Sequence, residues 1–111
     1  MLLGGDVHEN RVGHVKAVYA DPASPAVSVE FCGTSISSRE FGQTRPVEWL
    51  AENPHFVSSD VRRRGYGIAE FTPGQLTTSL RAVSDVTRRD AGIETLKRFA
   101  VQAGRPVVEV L

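Results

Sequence analysis

Residues 2–10 read LLGGDVHEN, an apolar run that stops at two glycines before an aspartate and a histidine two positions apart. In extended backbone, residues i and i+2 project to the same side, so Asp6 and His8 are expected to share a face while Val7 turns toward the core. A carboxylate and a neutral imidazole together suit iron, zinc or manganese. Two ligands do not make a site. A catalytic metal typically takes three protein ligands and keeps a position open, and two-metal phosphate chemistry needs more, with ions ~3.5–4 Å apart. The spacing alone therefore leaves two readings: a metal-ligand pair, or an Asp6 that caps a turn beside a surface His8. Gly4 and Gly5 supply the backbone freedom to end the strand sharply. That would set both side chains at the carboxyl edge of a sheet, where ligand sites gather in open α/β folds.

Other residues with chemical potential read more plainly as structure. His14 falls in a strand pattern on the face opposite Val15 and Tyr19, and is read as a surface or packing histidine. His55 follows the helix stop Asn53-Pro54. Cys32 ends an apolar strand, where a free thiol packs as a small hydrophobe; no C-x-x-C or Cys–His signature argues for a nucleophile. Ser35, Ser37 and Ser38 lie in GTSISS, which lacks the second glycine of a nucleophile elbow. That loop is expected to satisfy backbone groups or line a cleft. Arg62, Arg63 and Arg64 read as a solvated basic step before a strand.

The elements that must position these residues follow from periodicity. Residues 1–3 look like the end of a buried strand. Residues 12–19 alternate well enough for a strand, and Ala26–Cys32 (AVSVEFC) alternates clearly, with Val27, Val29 and Phe31 on one face. Residues 46–53 predict a short helix, with Thr44 as N-cap, Pro46 in the first turn and Asn53-Pro54 as the stop. Residues 62–72 enter a strand, TPGQ turns, and residues 76–83 return with Leu76, Thr78, Leu80 and Ala82 on one face. Residues 93–104 fit either a helix or a strand, and the strand is preferred. Residues 106–111 predict a final strand. The chain has 111 residues, 41 % apolar and 23 % charged, with 13 basic against 13 acidic side chains. That fits one small globular domain and gives no electrostatic case for nucleic acid or an anionic membrane. No run approaches the ~20 apolar residues of a membrane span, and no basic segment followed by an apolar stretch marks a signal peptide.

Taken in order, GGDVHEN, VEFCGTSISS, ENPHF, RRRGYGIAEFTP and LRAVSDV resemble the C-terminal part of the PhoD-like alkaline phosphatases, within the calcineurin-like metallophosphatases. The resemblance runs from about Gly4 to beyond Phe99. It implies an α+β, mostly β fold: the C-terminal part of an α/β/β/α sandwich, with antiparallel or mixed sheet and one or two short helices. It implies that residues 1–111 form a single domain portion of such a phosphatase. Its substrates would be phosphate monoesters or diesters, and its metals iron and calcium. GDVH aligns with the last metal-binding motif of the superfamily, which makes Asp6 and His8 metal ligands, His8 the firmer of the two. The family's other ligands precede that motif, so the chain by itself is expected to be inactive, with or without bound metal. The resemblance also implies an exported parent, periplasmic or extracellular; the chain's own localisation is left unassigned. The alternative is a non-catalytic β-rich structural or interaction module, one that self-associates through an exposed sheet edge.

Overall fold

The computed structural model describes residues 1–39, 44 and 47–111. Alternating stretches form most of its strands. In chain order these are β1 (Leu2–Gly4), β2 (Asn10–Lys16) and β3 (Ala26–Cys32), then the helix α1 (Val47–Glu52). There follow β4 (Phe56–Asp60), β5 (Gly65–Phe71), β6 (Gln75–Val83), β7 (Ile93–Gln102) and β8 (Glu109–Val110). They build two four-stranded sheets, ordered β1-β3-β2-β4 and β5-β6-β7-β8. β1 runs parallel to β3, whereas β2 pairs antiparallel with both β3 and β4. The second sheet is antiparallel throughout. The expected mostly β fold with antiparallel and mixed sheet is therefore present, and α1 is the one helix among the described residues.

The core lies between the sheets. Val12, Val29 and Phe31 face Leu76, Leu80, Phe99 and Val108. Val12 and Phe99 are fully buried, and the Phe31 and Phe99 rings meet with centroids 6.1 Å apart. Each such side chain contributes roughly 1.5–3 kcal/mol by leaving water. All four residues expected on one face of β6, Leu76, Thr78, Leu80 and Ala82, are buried. The ambiguous stretch at 93–104 is a strand, β7, paired to β6 over its length.

Four elements depart from the sequence reading. Residues 1–3, expected to end a buried strand, lead into β1, whose residues are all exposed because it stands at the edge of its sheet. The strand expected over 12–19 begins at Asn10 and ends at Lys16. Beyond it, side chains capture the backbone: the Val18 amide donates to Ser24 Oγ (2.8 Å) and the Ala23 amide to Asp21 Oδ1 (2.9 Å). Such local bonds compete with a sheet ladder. β4, FVSSD, carries little apolar alternation and has no counterpart in the sequence reading; it pairs along the edge of β2. β8 is shorter than 106–111 because the Val108 amide leaves the ladder and donates to His14 Nε2 (3.1 Å). The helix sits within the expected 46–53, and Asn53 Nδ2 closes its end on the Trp49 carbonyl (2.7 Å). The expected first-turn residue Pro46 lies outside the described residues.

Candidate metal-binding loop

Because β1 and β3 are parallel neighbours, their carboxyl ends lie at the same sheet edge, with Gly4 opposite Cys32. Both chains leave the sheet there. The Gly33 amide donates to the Gly4 carbonyl (3.0 Å), so the segment holding Asp6 and His8 starts beside residues 33–39. The sequence expectation of a ligand pair at a carboxyl edge thus has its scaffold.

The local geometry differs from the expectation. Residues 6–9 bend instead of continuing an extended strand, so strand alternation does not orient Asp6 and His8. Left-handed backbone is taken not by Gly4 or Gly5 but by Asp6 (φ 75°) and His8 (φ 55°). For a residue with a Cβ this costs about 1–2 kcal/mol, and such outliers concentrate at functional sites. Both side chains are exposed.

His8 is tied down at two points. Its Nδ1 is hydrogen-bonded to Ser38 Oγ at 3.2 Å, and Ser38 Oγ also bonds Ser35 Oγ. Its carbonyl accepts from Arg64 Nη1 at 2.8 Å. The Ser38 contact anchors one ring nitrogen and leaves Nε2 without a hydrogen-bond partner among the described residues. No described residue bonds the Asp6 carboxylate. An anchored imidazole and an uncommitted carboxylate suit a metal of intermediate hardness. They are two donors, and among the described residues no group of three or more histidine, cysteine, aspartate or glutamate side chains gathers.

Arg64 is the residue that sequence reasoning misplaced. Arg62 and Arg63 are exposed, as a solvated step would be, but Arg64 is only 4 % exposed. Its guanidinium reaches the carbonyls of Ser38 (3.1 Å), Arg39 (3.3 Å) and Val61 (3.4 Å) and the Thr34 hydroxyl (3.3 Å), besides His8. Nothing local distinguishes the third arginine of the run from the first two; only the folded loops do. Arg39, Arg62, Arg63 and Arg64, with Asp85 and Thr87, line an open cavity of about 560 Å³ beside this knot.

The neighbouring groups are structural. Asn10, buried, accepts from the Thr34 amide through Oδ1 (3.3 Å). The Gly65 amide donates to the Ser35 carbonyl (3.0 Å). Buried Glu9 pairs with Arg11, whose guanidinium also lies over the Trp49 ring (5.8 Å). Cys32 is buried, and burial followed by the Glu30 charge pushes its thiol above the ordinary range, the opposite of an activated nucleophile. His14 is occupied by the Val108 amide. His55 packs edge-on against Tyr19 (4.9 Å) and against Phe56 (4.3 Å).

Comparisons with known proteins agree with this architecture. The family model for PhoD-like phosphatases matches residues 1–80. The chain is 31 % identical over 105 residues to alkaline phosphatase D of Bacillus subtilis (strain 168), covering 92 % of this chain and 18 % of that protein. The solved structure of PhoD superposes with a TM-score of 0.81 at 25 % identity, covering 99 % of this chain and 22 % of that one. The chain thus spans about a fifth of each relative, 18 % of one and 22 % of the other.

Proposed function

Since the chain belongs to the PhoD-like phosphatase family, we propose that it forms the C-terminal portion of a metal-dependent phosphoester hydrolase and supplies two metal ligands, Asp6 and His8. The observation that carries this reading is the tethered imidazole: a surface histidine with one ring nitrogen held by Ser38 and its backbone held by a buried arginine. With Nδ1–H donating to Ser38 Oγ, the Nε2 lone pair points outward, the arrangement in which metal-ligating histidines are held. The Asp6 carboxylate contributes a hard, anionic oxygen from the same bend. When bound, iron or calcium ions would supply Lewis acidity toward a phosphoryl oxygen and lower the pKa of an attacking water.

The chain's own part is to hold two donors at a sheet edge. Leu80 and Phe99, buried in the opposing sheet, support that edge through the core. Tyr66 and Phe71, 39 % and 64 % exposed, stand in β5 of that sheet, opposite Arg81 and Leu76 of β6. Two donors leave a catalytic metal short of its usual three protein ligands, so the chain alone is inactive. The metal would take its remaining ligands from other parts of the phosphatase fold, the substrate would be a phosphate monoester or diester, and export of the parent follows the family likeness.

The test is a chimera. This chain replaces the matched segment in the Bacillus alkaline phosphatase D, and hydrolysis of a chromogenic phosphate ester is followed at alkaline pH with calcium and iron present. The chimera should turn over and bind metal, and His8→Ala should abolish both. A His8→Ala chimera with undiminished metal content and activity sinks the assignment. A β-rich binding module is the second reading, favoured by the 52 % and 63 % exposure of Leu2 and Leu3 on the terminal strand β1. It predicts self-association with no metal response at His8.

A further inference from the structure

We infer that Arg64 is a positioning residue for His8, acting with Ser38 as a clamp that fixes both the backbone and the ring of the proposed ligand. This rests on the reading of His8 as a metal ligand and extends it to a residue that touches neither metal nor substrate. Three bonds form a closed circuit. Arg64 Nη1 donates to the His8 carbonyl (2.8 Å), Arg64 Nε donates to the Ser38 carbonyl (3.1 Å), and Ser38 Oγ bonds His8 Nδ1 (3.2 Å). One guanidinium therefore sets the main chain of His8 and, through Ser38, the plane of its ring. Either contact alone would leave the other end of the residue free to turn.

The placement of Arg64 suits this task. It is 4 % exposed, so its rotamer is fixed by packing. Its partners His8, Thr34, Ser38 and Arg39 lie on the two loops that leave β1 and β3. All of its hydrogen-bond acceptors in the described residues are neutral carbonyls or a hydroxyl. The fork geometry of arginine is needed, because a lysine is a point donor on a flexible stem and lacks the planar array that meets several acceptors in fixed directions. The clamp also accounts for His8 at φ 55°: a left-handed imidazole-bearing residue persists only where its surroundings over-determine it.

A purely structural staple would hold the loops together without governing the ring. The experiment separates the two. The whole chain, labelled with ¹⁵N, is examined by long-range ¹H–¹⁵N NMR at alkaline pH and titrated with Zn²⁺ alone as the probe ion. The variants are Arg64→Lys and Ser38→Ala, and the His14 ring, held by the Val108 amide, reports whether the fold is intact. In the wild type His8 should be a single tautomer protonated at Nδ1. In both variants, with the His14 signal unchanged, it should relax to a tautomer mixture, and the Zn²⁺ concentration for half-saturation should rise about 10–100-fold, the usual penalty for removing an outer support. Arg64→Lys with an intact fold, wild-type tautomer and half-saturation within about twofold of wild type, well short of that penalty, overturns the inference. If Arg64→Lys disturbs the His14 signal, Ser38→Ala decides: a retained single tautomer overturns the clamp and a mixture supports it. Should Zn²⁺ leave wild-type His8 unmoved while the variants scramble its tautomer, the clamp is supported and the metal assignment falls.

Discussion

Asp6 and His8 spend stability in backbone strain to occupy their bend, with φ of 75° and 55°. Asp6 is the cleaner probe, because no described residue bonds its side chain. Asp6→Gly relieves a left-handed backbone that glycine adopts freely and should raise the unfolding free energy by up to about 1 kcal/mol, while weakening ion binding at His8. Chemical denaturation paired with a Zn²⁺ titration reads both; a variant less stable than wild type removes the strain argument. His14 makes a separate prediction. Burial, followed by the nearby His55 charge, lowers its pKa from the ordinary 6.5, and its Nε2 must stay unprotonated to accept the Val108 amide. A group depressed in the folded state contributes stability that is complete above its unfolded pKa and is lost as pH falls below about 6.5. Denaturation midpoints should therefore drop between mildly alkaline and mildly acidic conditions, and His14→Gln should flatten that dependence. An unchanged slope in the variant would place the titration on other groups.

Among the elements, the strands with clear alternation were legible in sequence, as AVSVEFC became β3 and LTTSLRAV became most of β6. Where reading failed, a competing bond won. Ser24 ends β2 early by capturing the Val18 amide, and His14 draws the Val108 amide away from β8. β4 has little pattern of its own and exists because β2 offers an unpaired edge. The entry to β5 shows how tightly one register is fixed. A Cβ built on Gly65 would lie 1.8 Å from the Arg81 carbonyl oxygen and 3.1 Å from Ala82 Cα. Gly65→Ala must push β5 from β6 or break the pairing of Gly65 with Ala82. A loss of about 2 kcal/mol or more is expected, toward the upper range for overpacking, with the amides of 65–67 exchanging faster with solvent. A variant as stable as wild type would show that this strand entry shifts without cost. Because Arg64 precedes this position, the same substitution should also scramble the His8 tautomer.

At the scale of the molecule, two sheets share one core, and the apolar strand β1 stands at an edge of the first. β1 ends its sheet, pairs among the described residues with β3 alone, and shows Leu2 and Leu3 at 52 % and 63 % exposure. An apolar edge strand with free backbone groups is a template for pairing. The chain should therefore self-associate with rising concentration in analytical ultracentrifugation, and Leu3→Lys should shift it toward monomer. Concentration-independent sedimentation as a monomer would remove the edge-pairing argument. The sequence by itself determined the family, the mostly β character and the faces of β3 and β6, and it singled out Asp6 and His8 as candidates, because side-chain alternation and short motifs are local properties of the chain. Tertiary structure alone decided that Arg64 is buried while Arg62 and Arg63 are not, that Ser38 holds the His8 ring, and that the bend at Asp6 and His8 is left-handed. Those outcomes depend on loops brought together from 26 to 56 residues apart, and no spacing along the chain encodes them.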